Sequence, residues 1–136
     1  MTKEEIISKV KTLEFPKGSF VVFGSCPMAA AGIREAKDID LLVSEEVYER
    51  LKNSGWQKIS KGPEDEPITY DVFEAHTKWG FNSSYSPTLE YLLATSTEVE
   101  GIPFGSLLEV RKWKVASGRE KDIADIKLID LYLEKN

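Results

Sequence analysis

The sequence has few of the features that stabilise secreted proteins or anchor membrane proteins. It contains a single cysteine, Cys26, so no disulfide can form within the chain, as is usual in a reducing compartment. No apolar run is long enough to cross a bilayer. The first residues, MTKEEIISKVK, are charged and lack the apolar core of a secretory signal. We therefore expect a cytoplasmic protein with no membrane partner.

Positive charge is also in deficit. The chain carries 18 Lys and Arg against 23 Asp and Glu, a formal net charge of −5. Proteins that hold duplex nucleic acid by its phosphates are usually basic, so the composition does not support duplex binding. No repeat, low-complexity tract or linker divides the 136 residues, of which 41% are hydrophobic. We therefore expect one ordinary domain spanning residues 1–136.

Helices and strands are mixed along the chain. Caps, breakers and periodicity predict helices at about 3–13, from Ser25 to Gly32, from Ser44 to Gly55, and at 89–94, 106–116 and 119–134. Strands are predicted at 19–23, 38–43, 56–60, 68–75 and 102–104, the last at a sheet edge because of Pro103. The segment KGPEDEP is predicted to be a polar turn, and Ile123, Ile126, Ile129 or Asp130, and Leu133 to form one face of the last helix. The pattern predicts an α/β or α+β fold, a small mixed sheet with flanking helices and a helical C-terminus.

The stretch from residue 23 to 43, FGSCPMAAAGIREAKDIDLLV, combines two features that suit nucleotide chemistry. Asp38 and Asp40 are two apart on a predicted strand, so they point to the same side. Such carboxylates can converge on one divalent metal ion or on two adjacent ions, and Mg²⁺ prefers a few carboxylates plus phosphate oxygens. Asp71, in the middle of the predicted strand 68–75, is the natural candidate for a third acid.

The other feature is the Gly24-Ser25 turn. Glycine lets the backbone come close to a phosphate, a following helix N-terminus offers free N–H groups, and the Ser25 hydroxyl adds a donor. Each feature alone has a simpler explanation. A Gly-Ser pair can be only a turn, Asp-x-Asp can be a solvated strand end, and Asp71 can face solvent. Their order and spacing together favour a nucleotide site.

These residues resemble the nucleotidyltransferase superfamily with the DNA polymerase beta-like fold. Its signature is an apolar residue, Gly, Ser or Gly, about a dozen residues, and then an apolar-flanked Asp-x-Asp or Asp-x-Glu. This chain has Phe23-Gly24-Ser25, twelve intervening residues, and Asp38-Ile39-Asp40-Leu41. Asp71 in ITYDVF matches the third acid on a later strand.

The resemblance is closest to small stand-alone bacterial and archaeal members, some of which occur in toxin–antitoxin and resistance systems. Such members often end in a Lys…Gly-Arg-x-Lys-Asp…Asp-Ile pattern. This chain has Lys114…Gly118-Arg119-Glu120-Lys121-Asp122…Asp125-Ile126, so the match covers most of its length. The resemblance leaves open a partner protein that is encoded nearby.

The resemblance implies a transferase that uses Mg²⁺ or Mn²⁺. It would move a nucleoside monophosphate from a nucleoside triphosphate, such as ATP, to a hydroxyl of a protein, a small molecule or an RNA end, and release pyrophosphate. Asp38 and Asp40 would bind metal, and Asp71 would bind the second metal and help to deprotonate the acceptor. The triphosphate would be held by Gly24 and Ser25, and the remaining nucleotide-binding candidates are Arg34, Lys114 and Arg119.

Two other functions stay open at this stage. One is an inactive binding module that keeps the fold and acts as an antitoxin or regulatory partner. The other is a phosphohydrolase that uses the same metals.

Several further residues receive predictions. Glu74 is a fallback third acid, and His76, the only histidine, is predicted to be a surface or strand-end residue without a partner cluster. Asp122 and Asp125 are predicted to cap or decorate the last helix, and Cys26 to be a packed thiol. Trp79-Gly80-Phe81 is a candidate for stacking a base.

Overall fold

The computed structural model describes residues 1–62, 65–80 and 83–136. Its helices are α1 (Lys3–Lys11), α2 (Cys26–Ala30), α3 (Glu45–Asn53), α4 (Leu89–Ala94), α5 (Leu107–Ser117) and α6 (Glu120–Lys135). Its strands are β1 (Phe20–Phe23), β2 (Ile39–Val43), β3 (Gln57–Lys58), β4 (Ile68–Tyr70), β5 (Phe73–His76), β6 (Thr97–Val99) and β7 (Ile102–Phe104). The predicted fold class, a mixed sheet with flanking helices and a helical C-terminus, is confirmed.

The described strands form one seven-stranded sheet in the order β3-β4-β5-β2-β1-β7-β6. At its centre β2 pairs antiparallel with β1 and parallel with β5. β7 continues the sheet parallel to β1, and β3, β4 and β6 add antiparallel pairs on the two sides. Because β2 and β5 run in the same direction, equivalent residues on them face the same side of the sheet, which positions the site.

Helices cover both faces of the sheet, which explains why β1 is continuously apolar. Phe20 and Val22 of β1 face a core cluster with residues of α1 and α3. Val21 and Phe23 face a second cluster with residues of α4, α5 and α6. All four side chains are buried. The alternation of strand side chains therefore divides the interior into two layers.

Local capping chemistry sets several helix starts. Thr2 and Glu5 form the predicted capping box of α1. The Ser44 and Ser106 hydroxyls accept from the backbone N–H of Val47 and Glu109, at the first turns of α3 and α5. Within the described residues, no helix combines the length and apolar character needed to cross a membrane.

The predicted continuous strand 68–75 is wrong. The structure has a tight hairpin there, with β4 and β5 joined at Asp71 and Val72. Asp71 has φ +53°, a left-handed conformation that aspartate tolerates better than most residues. An apolar and β-branched sequence on both sides of Asp71 hides this turn because no glycine or proline marks it.

The prediction of an edge strand at 102–104 is also wrong. β7 lies between β1 and β6, and β6 occupies the edge among the described strands. β6 has the polar sequence Thr-Glu-Val, which carries no apolar alternation and was therefore not predicted. Pro103 is opposite Glu98 of β6 in the pairing register.

The buried face of α6 differs from its predicted face. Ile129 is fully buried, but Ile123 is 51% exposed and Leu133 is 38% exposed. Asp122 and Asp125 take the interior positions instead. Charged side chains are tolerated at these positions because both aspartates are ion-paired, as described below.

The predicted turn KGPEDEP is only partly described, since residues 63 and 64 lie outside the described residues. Gly62 and Asp65, on either side of them, form an isolated antiparallel bridge. The strand predicted before this turn at 56–60 is shorter than expected, with two residues in β3.

Candidate active site

A cleft of about 620 Å³ lies at the side of the sheet where residues of β2 and β5 meet the α2, α5 and α6 regions. Its described lining includes six basic residues, Arg34, Lys37, Lys61, Lys114, Arg119 and Lys121. The acidic residues in its lining are Asp38, Asp40, Asp65, Glu74 and Asp125. The described lining therefore carries one more basic than acidic residue in a chain whose net charge is negative, and its basic residues suit a ligand that carries phosphates.

The cleft collects most of the residues predicted to form a site. Ser25, Arg34, Asp38, Asp40, Lys114 and Arg119 all line it. Gly24 lies next to it, in contact with Asp40. The predicted third acid, Asp71, is not part of its described lining.

Gly24 has a specific steric role beside Asp40. Its φ of +65° is in the left-handed region, which most side chains avoid. A Cβ built on Gly24 would lie 2.3 Å from Oδ2 of Asp40, which is closer than two non-bonded heavy atoms can approach. Glycine is therefore required for the Asp40 carboxylate to occupy its position, and this explains one half of the Gly-Ser pair.

The sequence suggested that the Ser25 side chain caps α2, but this side chain makes no capping hydrogen bond. Its hydroxyl instead accepts a hydrogen bond of 2.8 Å from Nη2 of Arg34. The Ser25 backbone carbonyl accepts from Met28 and Ala29 at the start of the helix. The serine thus joins the turn to a basic residue of the cleft.

Asp38 and Asp40 lie at the beginning of β2. Asp38 directly precedes the strand and is exposed, while the Asp40 side chain is 23% exposed. Asp40 is in register with Glu74 of the parallel neighbour β5. The fallback acid Glu74 therefore joins this site, because equivalent residues of parallel strands share a face.

Asp71 is elsewhere, and the prediction that it lies in the middle of a strand is wrong. It lies in the turn of the β4–β5 hairpin, with a side chain that is 52% exposed. Its Oδ2 is 3.5 Å from Nζ of Lys9 on α1. The turn shortens the strand and leaves this carboxylate beside Lys9, outside the described lining of the cleft.

His76 is the last residue of β5, which agrees with the strand-end alternative of its prediction, but the expected surface position and lack of a partner cluster are wrong. His76 is 6% exposed and lines the cleft. Ligand atoms of Asp40, Glu74 and His76 all lie within 4.8 Å of one another; we call these three residues the acid–histidine cluster. A signal was present in the sequence, since Glu74 and His76 are two apart on one strand and must share a face.

Lys61 and Asp65 adjoin the acid–histidine cluster. The Lys61 ammonium forms an ion pair with Glu74, whose side chain is 12% exposed. Burial lowers the pKa of Lys61, but its hydrogen bond to Glu74 and the nearby Asp40 and Asp65 raise it more, so the pKa is above its ordinary value. Lys61 is therefore a fixed positive charge beside these acids.

A second set of charges, which we call the basic network, joins the α2 region to α5 and α6. It consists of Arg34, Lys114, Arg119, Asp122 and Asp125. Arg34 donates to both Asp125 oxygens at 3.0 and 2.9 Å, and Nζ of Lys114 is 2.9 Å from Asp125 Oδ2. Arg119 donates to both oxygens of Asp122 at 2.8 and 3.1 Å.

Burial and pairing act in opposite directions on the two acids of the basic network. Burial raises the pKa of Asp122, but hydrogen bonds from Arg119 and Ser117 lower it further, so the net shift is downward. For Asp125, burial likewise raises the pKa, and Arg34 and Lys114 more than offset it. Both acids are therefore ionised, and Asp122 also caps α6 by accepting from the Arg119 backbone N–H.

Aromatic rings form part of the cleft wall. Trp79 is 4% exposed and meets the His76 ring edge to face, with centroids 4.9 Å apart. The Trp113 ring lies 5.0 Å from that of Trp79 and carries Nζ of Lys114 at 4.8 Å from its centroid. Of the segment proposed to stack a base, Trp79 and Gly80 line the cleft, and Phe81 lies outside the described residues.

Cys26 is packed as predicted. Its Sγ donates to the backbone carbonyl of Asp38 at 3.3 Å, and burial raises its pKa to about 12. A thiol with such a pKa is not a nucleophile at neutral pH. Its contribution is to hold the chain at the start of β2.

Searches against protein-family models and against curated proteins produce no match. Two solved structures are similar in fold. One is a protein from Thermotoga maritima described as a putative nucleotidyltransferase, at 19% identity and a TM-score of 0.60, with 100% of this chain and 97% of that chain covered. The other is the aminoglycoside nucleotidyltransferase ANT(2″)-Ia in complex with adenylyl-2″-tobramycin, at 13% identity and a TM-score of 0.56, with 96% of this chain and 86% of that chain covered. This chain therefore has the nucleotidyltransferase-superfamily fold.

Proposed function

We propose that this chain uses its nucleotidyltransferase fold to move a nucleoside monophosphate from a nucleoside triphosphate, such as ATP, to a hydroxyl acceptor. Pyrophosphate is the second product. The acceptor is a hydroxyl of a protein, a small molecule or an RNA end. The proposal is carried by one observation, the meeting of Asp38, Asp40 and Glu74 in a cleft whose lining is otherwise rich in basic residues.

In this reaction an acceptor oxygen forms a bond to the α-phosphorus, and the bond from that phosphorus to the pyrophosphate oxygen breaks. We assign the acceptor proton to the Glu74 carboxylate, in place of the predicted Asp71. Glu74 faces the cleft beside Asp40, whereas Asp71 lies at the hairpin turn. Positioning of the two substrates and stabilisation of charge would provide most of the rate enhancement.

Asp38, Asp40 and Glu74 would hold the metal, Mg²⁺ or Mn²⁺. Carboxylate oxygens suit these hard cations, and the oxygens of Asp40 and Glu74 are within 4.8 Å of each other, close enough to share an ion. A bound dication would stabilise charge on the phosphate oxygens and lower the pKa of the attacking hydroxyl.

Arg34 and Arg119 are our candidates for contact with the triphosphate. Their side chains remain 35% and 46% exposed although both are bound to acids of the basic network. A guanidinium has five N–H donors, so some stay available for phosphate oxygens. Lys114 is only 3% exposed, and we assign it to positioning Asp122 and Asp125 rather than to direct phosphate contact.

The test is a panel of labelled nucleoside triphosphates with Mg²⁺ or Mn²⁺ and with hydroxyl acceptors of the three classes. We expect transfer of label and release of pyrophosphate. Asp38→Asn and Asp40→Asn should each lower turnover on the order of 10²–10³-fold, since each removes a fixed charge from the reacting centre. Asp71→Asn is the matched control and should retain full turnover. Equal turnover by wild type and Asp40→Asn would exclude the mechanism.

A second candidate is a binding module that keeps the fold and acts as an antitoxin or regulatory partner without catalysis. The position of Asp71 outside the cleft and the Lys61 ammonium on Glu74 favour it. Nucleotide binding by calorimetry with no product from any acceptor would support this function. A third outcome, release of free phosphate without transfer, would identify a phosphohydrolase.

A further inference from the structure

The acid–histidine cluster has a donor set that differs from a purely carboxylate site. Asp40 is on β2, and Glu74 and His76 are on β5, with Asp40 paired to Glu74 and Leu42 paired to His76. Parallel pairing puts all three side chains on one face of the sheet. Their ligand atoms lie within 4.8 Å of one another, so a single ion can contact two oxygens and one imidazole nitrogen.

The two nitrogens of the His76 ring face different carboxylates. Nε2 is 3.8 Å from Oδ1 of Asp40, on the side of the shared position. Nδ1 is 3.7 Å from Oδ1 of Asp65, a side chain that is 15% exposed. At metal sites, a carboxylate that accepts a hydrogen bond from the far nitrogen of a ligating imidazole orients the ring and raises its basicity. Asp65 is the carboxylate on that side of His76, at a distance of 3.7 Å that is longer than a direct hydrogen bond. Trp79 packs against the ring and further restricts its orientation.

We propose that Asp40, Glu74 and His76 form a mixed nitrogen–oxygen cation site that prefers a first-row transition dication, of the Zn²⁺ or Co²⁺ class, over Mg²⁺. Imidazole is a good ligand for these ions, whereas Mg²⁺ selects oxygen donors. The inference builds on the proposed function, because it names the class of cation that the same site would take.

Lys61 acts as a built-in competitor at this site. Its ammonium is ion-paired with Glu74, one of the three ligands. A dication that binds Glu74 must displace the ammonium or share the carboxylate with it, and two positive charges at one carboxylate repel each other. Removal of the Lys61 charge should therefore tighten the binding of any dication, whatever its preference for nitrogen.

The only histidine in the chain makes a direct test possible. We would record ¹H–¹⁵N spectra of the imidazole in labelled protein without a histidine tag, during titration with Zn²⁺ or Mg²⁺. We expect Zn²⁺ to shift the His76 nitrogen resonances in a saturable manner and Mg²⁺ at equal concentration to leave them in place. Zn²⁺ titration that leaves these resonances unchanged would overturn the proposal. No substitution is needed, so the result does not depend on the folding of a variant.

Calorimetry of variants gives a second measurement. His76→Gln should weaken Zn²⁺ binding by at least about 10- to 100-fold, the range known for perturbing metal-site histidine partners, and should leave Mg²⁺ binding nearly unchanged. Lys61→Met should tighten both ions, whereas the exposed Lys78→Met is the matched control and should change neither. Equal loss of Zn²⁺ and Mg²⁺ affinity in His76→Gln would contradict the assigned preference.

The outcomes for cation preference and for catalysis are separable. A saturable Zn²⁺ shift at His76 in a protein that transfers no nucleotide would support the cation site and reject the proposed function. Nucleotide transfer with Mg²⁺ in a protein whose imidazole is insensitive to Zn²⁺ would support the proposed function and reject the cation site.

Discussion

The acid–histidine cluster and the basic network line the same cleft but differ in the distances between their paired charges. In the basic network, three cations surround two buried acids, with hydrogen bonds of 2.8 to 3.1 Å from both arginines. Around the acid–histidine cluster, the His76 nitrogens lie 3.7 to 3.8 Å from the carboxylates of Asp40 and Asp65, farther apart than the hydrogen-bonded pairs of the basic network. The Lys61 ammonium forms an ion pair with Glu74 in this cluster.

This difference separates two kinds of charged site. Short, reciprocal pairs hold side chains in place and make the basic network a rigid scaffold between α2, α5 and α6. Carboxylates held close together with an excess of negative charge are poised for a cation from outside. Stability should therefore depend most on the basic network, and ligand response on the acid–histidine cluster.

The largest effect on stability is expected from Lys114→Met. The change removes a 3% exposed ammonium that is paired with Asp122 and Asp125, and breaking a buried ion pair typically costs about 3–5 kcal/mol. Chemical denaturation would measure the loss in free energy of unfolding. Arg111→Met is the matched control, since Arg111 pairs with Asp130 between the same two helices at the exposed surface. Equal losses in the two variants would remove the distinction between buried and exposed pairs.

The next effect concerns the turn beneath Asp40. Gly24→Ala should lower stability by the cost of a left-handed alanine, about 1–2 kcal/mol, and by a further contribution of about 1–3 kcal/mol from overpacking against the Asp40 carboxylate. Gly32→Ala is the control, because Gly32 has φ +76° and nothing within 4 Å of the added Cβ.

A thermal unfolding comparison of the two alanine variants isolates the contact with Asp40. We also expect the Gly24 variant to bind divalent cations more weakly, since it displaces a ligand. Indistinguishable midpoints and cation affinities for the two variants would show that the close approach of Gly24 to Asp40 has no consequence.

The smallest effect is a dependence of stability on acid pH. The folded pKa values of Asp122 and Asp125 are below their ordinary values. Their contribution is therefore fully present above the unfolded pKa of about 3.9 and is lost as pH falls through the lower folded values. Denaturant melts between neutral and acid pH should show a shallower pH slope in Asp125→Asn than in wild type.

Salt concentration provides the control for the dependence of stability on acid pH. Asp130 also has a lowered pKa, caused by its hydrogen bond to Arg111, but this pair is exposed. High salt should suppress the Asp130 contribution and leave most of that from Asp122 and Asp125, because exposed charges are screened more strongly. A wild-type slope that vanishes entirely at high salt would contradict the role given to the buried acids.

Much of the fold could be predicted from local patterns. The Thr2 capping box, the Ser44 cap and the apolar run of β1 each depend on neighbouring residues, and the structure contains them where expected. The errors have long-range causes. Asp71 turns the chain because β4 must return along β5, and β6 is a strand only because it pairs with β7.

The candidate site likewise has one part that local patterns predict and another that depends on long-range pairing. Asp38, Asp40 and Gly24 lie in one short stretch whose spacing indicates a shared location. Glu74 and His76 could be related to each other by their spacing, but their position beside Asp40 depends on the parallel pairing of β2 and β5. The buried positions of Asp122 and Asp125 were hidden because charged residues ordinarily indicate a solvated helix face.

By itself, then, the sequence determined the local parts of this protein, namely its helix caps, the turn with a required glycine, and two aspartates at the start of one strand. These follow from steric and hydrogen-bonding preferences of a few adjacent residues. Only the tertiary structure decided that Glu74 and His76, rather than Asp71, join Asp40, and that acids of α6 anchor Arg34 and Lys114. The reason is that strand pairing and charge burial depend on residues far apart in the chain, whose proximity no local pattern contains.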